Sequence, residues 1–237
     1  MGAKIRSINV LKKLGNCHFN NLLDAGCGKA YVSFILAQYH PTIQITGLDI
    51  NTERIAYNEE IRKKLSLNNL EFLVEDLNNM KLEHKYDLIL SVDNLEHIED
   101  DLAVLSNFRS VIKENGLLII QVPKVTKKFF YRSVPQIGKE DHFRDGYSAV
   151  ELSDKLSYAG FQVLDVAHIY NFFESIANQT AMMLSKILPL YAFCLPFLIL
   201  VSRIPDWFLP ARYRFYNSLQ IFAKPRSMES TDNQKVI

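Results

Sequence analysis

From Asn20 to Pro123 the chain alternates two kinds of segment. Short apolar runs (NNLLDAG, TIQITGLDI, LEFLVED, YDLILSV and GLLIIQVP) are bounded by polar residues and glycine. Runs of that length, rich in Leu, Ile and Val, read as buried strands. Between them lie segments whose apolar residues recur at helical spacing. KAYVSFILAQYH is one, and the charged segment from Thr52 to Leu65 turns Ile55, Ile61 and Leu65 inward. Ile98, Leu102, Leu105, Phe108 and Ile112 form a third apolar stripe. Glu99, Asp100 and Asp101 stand in the first turn of that helix, where the helix dipole favours acids, and Asn115–Gly116 is placed to stop it. Earlier in the chain, residues 5–14 carry Ile5, Ile8 and Leu11 or Leu14 on one helical face.

Strands alternating with helices at this spacing predict a mostly parallel sheet covered on both faces, an α/β class. Ligands of such sheets bind beyond the carboxyl ends of the strands. Gly26, Asp49, Asp76 and Asp93 all fall at predicted strand ends, so four polar or special positions converge on one edge.

Composition narrows the classes. The chain has 237 residues and a formal net charge of +1, unlike a strongly basic nucleic-acid binder, so no nucleic-acid partner is expected. Its three cysteines, Cys17, Cys27 and Cys194, are far apart and in no metal spacing, which predicts a reduced, cytoplasmic protein with no metal. The N-terminal segment has no apolar core of signal-peptide length, and Arg6 stands where a myristoylation motif wants Ser or Thr.

The chemistry centres on LLDAGCGKAYVS, residues 22–33. Gly26 and Gly28 lie in the first strand-to-helix turn, where glycine permits positive φ and close approach of a ligand. Asp49 follows Gly28 by about 20 residues at the next strand end, the position from which a carboxylate accepts bonds from ribose hydroxyls. Dinucleotides and S-adenosylmethionine both meet that description. A dinucleotide fingerprint needs a small residue at 31, where Tyr31 stands; Gly26, Gly28 and Ala30 fit a G-x-G-x-G/A pattern. Asp24 also suits a ligand with a positively charged amino-acid end and would sit awkwardly beside a pyrophosphate.

LLDAGCGKA, GLDI, EDL, YDLILSVDNLEHIED and GLLIIQVPK, in this order, resemble the motifs of class I S-adenosylmethionine-dependent methyltransferases, and most of all the small-molecule branch that includes ubiquinone-biosynthesis methyltransferases. The resemblance covers roughly residues 20–168, and HFRDGYSAVELSDKLSYAGFQVL continues it. It implies a Rossmann-like sheet, mostly parallel with its last strand, NSLQIFAKP, antiparallel, and S-adenosylmethionine as cofactor. It implies that Gly26 and Gly28 pass the backbone close to the methionine part, with Asp24 nearby and Cys27 filling the turn. Asp49, with Ile50 beside it, would hold the ribose; Asp76 would face the adenine amino group beside Leu77; Ser91 to Asp93 would meet the methionine end. The chain departs from the family at Ala30, where glycine is frequent, and in its short leader, residues 1–19.

Structural roles compete with some of these. Asp49 could cap the following helix, although Asn51 and Thr52 are better placed. Asp93 and Glu96 have capping-box spacing, as do Ser148 and Glu151, and the latter pair reads as purely structural. His97 stands just past the fourth strand and His142 in the loop after the fifth; these are the candidate catalytic residues. A sulfonium is already a strong electrophile, so alignment does much of the work. A base is needed where the acceptor must lose a proton, and an imidazole suits that.

The family pattern does not account for residues 171–216. They contain ILPLYAFCLPFLILV, an uncharged run from Ile187 to Val201 between Lys186 and Arg203, followed by Trp207, Phe208, Arg212, Tyr213, Arg214 and Tyr216. At about 15 residues the run is shorter than the roughly 20 that span a bilayer. It reads as an interfacial helix, with Phe197, Leu198 and Trp207 toward lipid and KKFFYR, residues 127–132, on the same surface; as a cap over the active site; or as a dimer contact. The polar tail, residues 226–237, is expected to be disordered. The sequence therefore predicts one methyltransferase domain with a hydrophobic helical insertion. Its activity would be methyl transfer to a small-molecule, lipid-linked or glycan acceptor at oxygen. The competing readings are a catalytically idle cofactor-binding module and a nicotinamide-dependent oxidoreductase.

Overall fold

The computed structural model describes residues 19–125, 142–185, 187–210 and 215–227. Seven strands form one sheet: β1 (Asn21–Ala25), β2 (Gln44–Asp49), β3 (Leu70–Val74), β4 (Tyr86–Val92), β5 (Ile112–Pro123), β6 (Phe161–Ile169) and β7 (Ser218–Pro225). Their spatial order is β3-β2-β1-β4-β5-β7-β6. β1 to β5 pair in parallel, and β7 runs antiparallel between β5 and β6. The predicted α/β architecture with a reversed last strand is therefore present.

Six helices are described: α1 (Tyr31–Tyr39), α2 (Thr52–Lys64), α3 (Asp101–Val111), α4 (Ala149–Tyr158), α5 (Phe172–Leu184) and α6 (Leu188–Val201). On one sheet face Val32, Leu36 and Ala37 of α1 and Ile55 of α2 join Leu22, Ile45 and Leu90. On the other, Val104, Leu105 and Phe108 of α3 and Leu152 and Leu156 of α4 join Leu23, Ile89 and Ile120. The alternation of side chains along each strand thus feeds two cores, which is why the strands read as continuous apolar runs.

One boundary differs from the sequence reading. α3 ends at Val111, and the chain enters β5 at Ile112, before Asn115–Gly116. The β4–β5 register shifts between the Tyr86↔Ile112 and Leu88↔Leu117 pairs. A Cβ on Gly116 would lie 2.6 Å from Ile112 Cγ1 and 2.9 Å from the Lys113 carbonyl. Gly116 therefore permits a close irregularity inside the strand pair and does not cap the helix.

Within residues 171–216, Phe172–Leu184 and Leu188–Val201 are helical, and the described residues that follow Val201 are turns and irregular chain. α5 starts with a capping box in which Asn171 and Glu174 satisfy each other's backbone N–H groups. α5 and α6 pack through Ala177, Ala181 and Leu198, with Leu184, Tyr191, Cys194 and Val201 around them. Leu198 is thus buried, contrary to its expected place toward lipid. Among the described residues no helix is long and apolar enough to cross a membrane. The predicted leader helix at 5–14, the KKFFYR segment, Arg212 to Arg214 and most of the polar tail lie outside the described residues.

Candidate active site

The β1–α1 turn is built from three consecutive alternate residues in the left-handed region: Gly26 (φ 75°), Gly28 (φ 53°) and Ala30 (φ 50°). At Gly26 the reason is contact, since a Cβ would fall 2.3 Å from Asn94 Cγ. At Gly28 it would meet nothing within 4 Å. The bare backbone of Gly28 therefore faces open space, which is what a turn kept free for a ligand requires. Cys27 directs its sulfur toward the sheet, beside Gly47 and the α1-side core. Burial, then the Asp24 and Asp49 charges, push its thiol far up, so it stays neutral and acts as filler.

Asp49 closes this turn. Its Oδ2 accepts from the Gly28 N–H (2.8 Å) and its Oδ1 from the Asn51 N–H (2.9 Å). Asn51, not Asp49, caps α2 by accepting from the Arg54 N–H. Asn58, buried on α2, donates to the Gly28 carbonyl at 2.8 Å. The sequence reading missed Asn58, which hides as one polar residue within a charged helix. Asp24 is buried at the end of β1 and accepts from the Ser33 hydroxyl. Burial pushes its carboxyl up to about 6, opposed by the Ser33 bond and helped by the Asp49 charge.

At the next strand ends the picture is mixed. Ile50 is exposed, 68 % of its surface being open. Asp76 turns its carboxylate to the Asn78 N–H (2.9 Å) and to the Asn78 and Asn79 side-chain amides (3.3 Å each). The Leu77 side chain points into the core, so only its backbone remains for a ligand. Asp93 sits at φ 48° in the turn after β4, and Asp100 caps α3 through the Ala103 N–H. The Asp93 N–H donates to the Gln121 carbonyl at 2.8 Å. Ser91 Oγ, Asn94 Nδ2 and both amide atoms of Gln121 and Gln220 are buried without a partner. Gln121 and Gln220 oppose each other across β5 and β7.

The two candidate histidines come together. The His97 and His142 rings stand 4.3 Å apart, edge to face. What joins them is a latch. The Glu96 carbonyl accepts from the Phe143 and Arg144 N–H groups (3.0 and 3.3 Å). Arg144 donates to Asp101 Oδ2 (2.6 Å) and to the Ile98 and Glu99 carbonyls (3.0 and 2.8 Å). Asp101, buried at the start of α3, also takes the Lys155 ammonium (2.8 Å) and the Tyr147 hydroxyl (2.7 Å). The sequence reading took Asp101 as a first-turn acid; it is the hub of an ion-pair network. Glu96, His97 and His142 also offer ligand atoms all within 4.8 Å of one another, a carboxylate–imidazole set that can hold a divalent transition-metal ion. No metal set was foreseen, because Glu96 and His142 lie in different segments.

A profile of a methyltransferase-domain family matches residues 20–174, more than half the chain. The chain belongs to this methyltransferase family. It is 31 % identical over 117 residues to the ubiquinone biosynthesis O-methyltransferase of Haemophilus ducreyi, covering 46 % of this chain and 48 % of that one. It is 26 % identical over 126 residues to the (S)-coclaurine N-methyltransferase of Thalictrum flavum, covering 53 % and 34 %. The chain thus spans between about a third and a half of the length of these relatives. In fold it is similar to phosphoethanolamine N-methyltransferase 2 of Haemonchus contortus, solved with S-adenosylhomocysteine (TM-score 0.70, 16 % identity, 94 % of this chain and 53 % of that one).

The cofactor of this methyltransferase is S-adenosylmethionine, and the residues present fit it. Gly28 leaves the space above the turn open, Asp49 keeps spare lone pairs beside its two backbone bonds, and the exposed Ile50 offers an apolar plate next to them. The buried Asp24 carboxylate, with a raised pKa and no cationic partner bonded to it among the described residues, is placed for a positively charged group.

Proposed function

We propose that the chain transfers a methyl group to a hydroxyl of a small or lipid-linked acceptor, with His97 as the base. Bound at the β1–α1 turn, the cofactor supplies an electrophilic methyl group. The residues of this chain then have three tasks. Asp49 and the Gly26–Gly28 backbone hold the nucleoside end. Asp24 offers charge to the amino-acid end. His97 takes the proton the acceptor hydroxyl must lose, while His142 and Glu96 orient its ring and stabilise the imidazolium that results.

The observation that carries this reading is the edge-to-face His97–His142 pair next to Glu96, at the end of the strand where a methyl group would be presented. Relatives include both O- and N-methyltransferases. Oxygen is favoured because a hydroxyl must lose its proton as it is methylated, and a positioned imidazole can take that proton. The unpartnered amides of Gln121 and Gln220 support a polar, uncharged acceptor group near the ends of β5 and β7.

The test is His97→Ala assayed on glycan and lipid extracts with labelled cofactor. Turnover should fall by ~10²–10⁴ with cofactor affinity nearly unchanged. A loss under about tenfold would make alignment sufficient and His97 a wall residue. Loss of wild-type turnover on chelation, restored by zinc or manganese, would reassign the pair as metal ligands. Cofactor binding with no methyl product from any extract would favour the idle module, and product found only on amines would move the acceptor atom to nitrogen.

A further inference from the structure

α6 is apolar on every side. Its sequence, LPLYAFCLPFLILV, contains no charged residue. One row, Tyr191, Cys194, Leu198 and Val201, packs toward Ala177, Ala181 and Leu184 of α5. A neighbouring row about 100° round the helix, Leu190, Phe193, Phe197 and Leu200, follows the same spacing and faces outward; Phe193 is 84 % exposed, Phe197 66 % and Leu200 68 %. Trp207 and Phe208, just beyond the helix, are exposed as well. A helix that is hydrophobic all round belongs in a protein core or in lipid, and this one has a core on one row only. Contiguous exposed apolar surface of this kind marks an interaction site.

We propose that the outer row of α6, with Trp207 and Phe208, docks on an anionic phospholipid bilayer and brings a membrane-borne acceptor to the cofactor edge of the sheet; the second half of this rests on the methyl-transfer reading above.

Three observations select a bilayer. First, the helix has 14 residues, so at 1.5 Å each it is about 21 Å long, against a hydrocarbon core of about 30 Å. It can lie in the interface and cannot span. Second, the charges that flank α6 directly are basic. No acidic residue occurs between Glu174 and Asp206, whereas Lys186 precedes α6 and the exposed Arg203 follows it. Basic flanks attract anionic headgroups. Trp207 and Phe208 supply the aromatic side chains that settle at headgroup level. Third, topology places the patch where substrate must enter. β6 ends at Ile169 on the same sheet edge as Asp24, Asp49 and Asp93, because it runs parallel to β1, β2 and β4 and antiparallel to β7. α5 starts three residues later. Ring contacts then lead from α5 to the patch: Phe173 to Phe208 at 6.0 Å and Phe208 to Trp207 at 5.9 Å.

The experiment is vesicle sedimentation of the full chain with the fluorescence of Trp207, its sole tryptophan, read in parallel. Vesicles are pure phosphatidylcholine or a 70:30 mixture with phosphatidylglycerol. The wild type should pellet with the mixed vesicles, its emission should shift to the blue, and added salt should release it. Phe193→Ser, Phe197→Ser and Leu200→Ser combined should lower the partition coefficient more than about 100-fold. These side chains are exposed, so the affinity of the triple variant for S-adenosylhomocysteine should equal that of the wild type and report that it is folded. Wild type that stays in the supernatant overturns the proposal, as does equal binding to both vesicle types. Concentration-dependent dimerisation without lipid, lost in the triple variant, also overturns it and makes the row an interface between two copies. Failure of vesicle binding with intact S-adenosylhomocysteine affinity sinks the docking alone. Failure to bind S-adenosylhomocysteine sinks the methyl-transfer reading instead.

Discussion

Asp24 is the residue whose charge state ties folding to cofactor binding. Its carboxyl titrates near 6 in the folded protein because burial disfavours the anion, against about 4 for an unfolded aspartate. The folded state therefore holds this proton between about pH 4 and 6, where the unfolded chain has released it. The stability this group contributes is fully present below about pH 4 and is lost as pH rises through 6. A cationic ligand group beside the carboxylate acts in the opposite sense, since it favours the anion. S-adenosylmethionine should accordingly bind more weakly as pH falls below 6, by up to about tenfold per unit. Asp24→Asn should flatten that dependence and weaken binding at pH 8. Calorimetry of cofactor binding from pH 5 to 8 checks it, and an unchanged slope in the variant would remove Asp24 from the site.

Among the elements, the segment His142–Tyr147 and the start of α3 behave as one unit. Arg144, Lys155 and Tyr147 all converge on the Asp101 carboxylate, whose side chain is 3 % exposed. Burial, then the Asp101 bond and charge, raise the Tyr147 phenol well above its ordinary value, so it remains a donor. Removing one partner of a buried ion pair leaves the other charges desolvated, at a cost of about 3–5 kcal/mol. Asp101→Ala should lose stability on that scale in urea melts. It should also free the loop that carries His142, so turnover should fall further than affinity for S-adenosylhomocysteine does. A loss below about 1 kcal/mol would mean the network is solvated like a surface pair.

For the whole molecule, binding and folding are linked because the site is assembled from three strand ends and their turns, and no unfolded chain reproduces it. A ligand present at 100 times its Kd stabilises by about 2.7 kcal/mol. For a chain of this size that raises Tm by roughly 5–10 °C. S-adenosylhomocysteine should give such a shift and NAD none. Asp49→Ala should reduce the shift, because the carboxylate that fixes the Gly28 turn is gone. Stabilisation by NAD in place of S-adenosylhomocysteine would reinstate the nicotinamide reading that Tyr31 opposes.

The sequence alone determined the elements and the cofactor turn, since both are written in local code. Apolar runs and helical stripes mark β1 to β5 and α1 to α3, and Gly26, Gly28 and Asp49 stand at strand ends whatever the packing beyond them. Local code was weakest where two local signals competed. Gly116 reads as a helix stop because a glycine that permits a bulge looks the same in sequence. The tertiary structure alone decided which distant residues meet. Asn94 closes on Gly26, Asn58 holds Gly28, and Asp101 gathers Arg144 and Lys155 from 43 and 54 residues away. That gathering brings His142 against His97 and Glu96. It also fixed which side of α6 is buried: a helix apolar all round has no amphipathic phase to read, so only its packing on α5 turned Leu198 inward and left Phe193 and Phe197 outside.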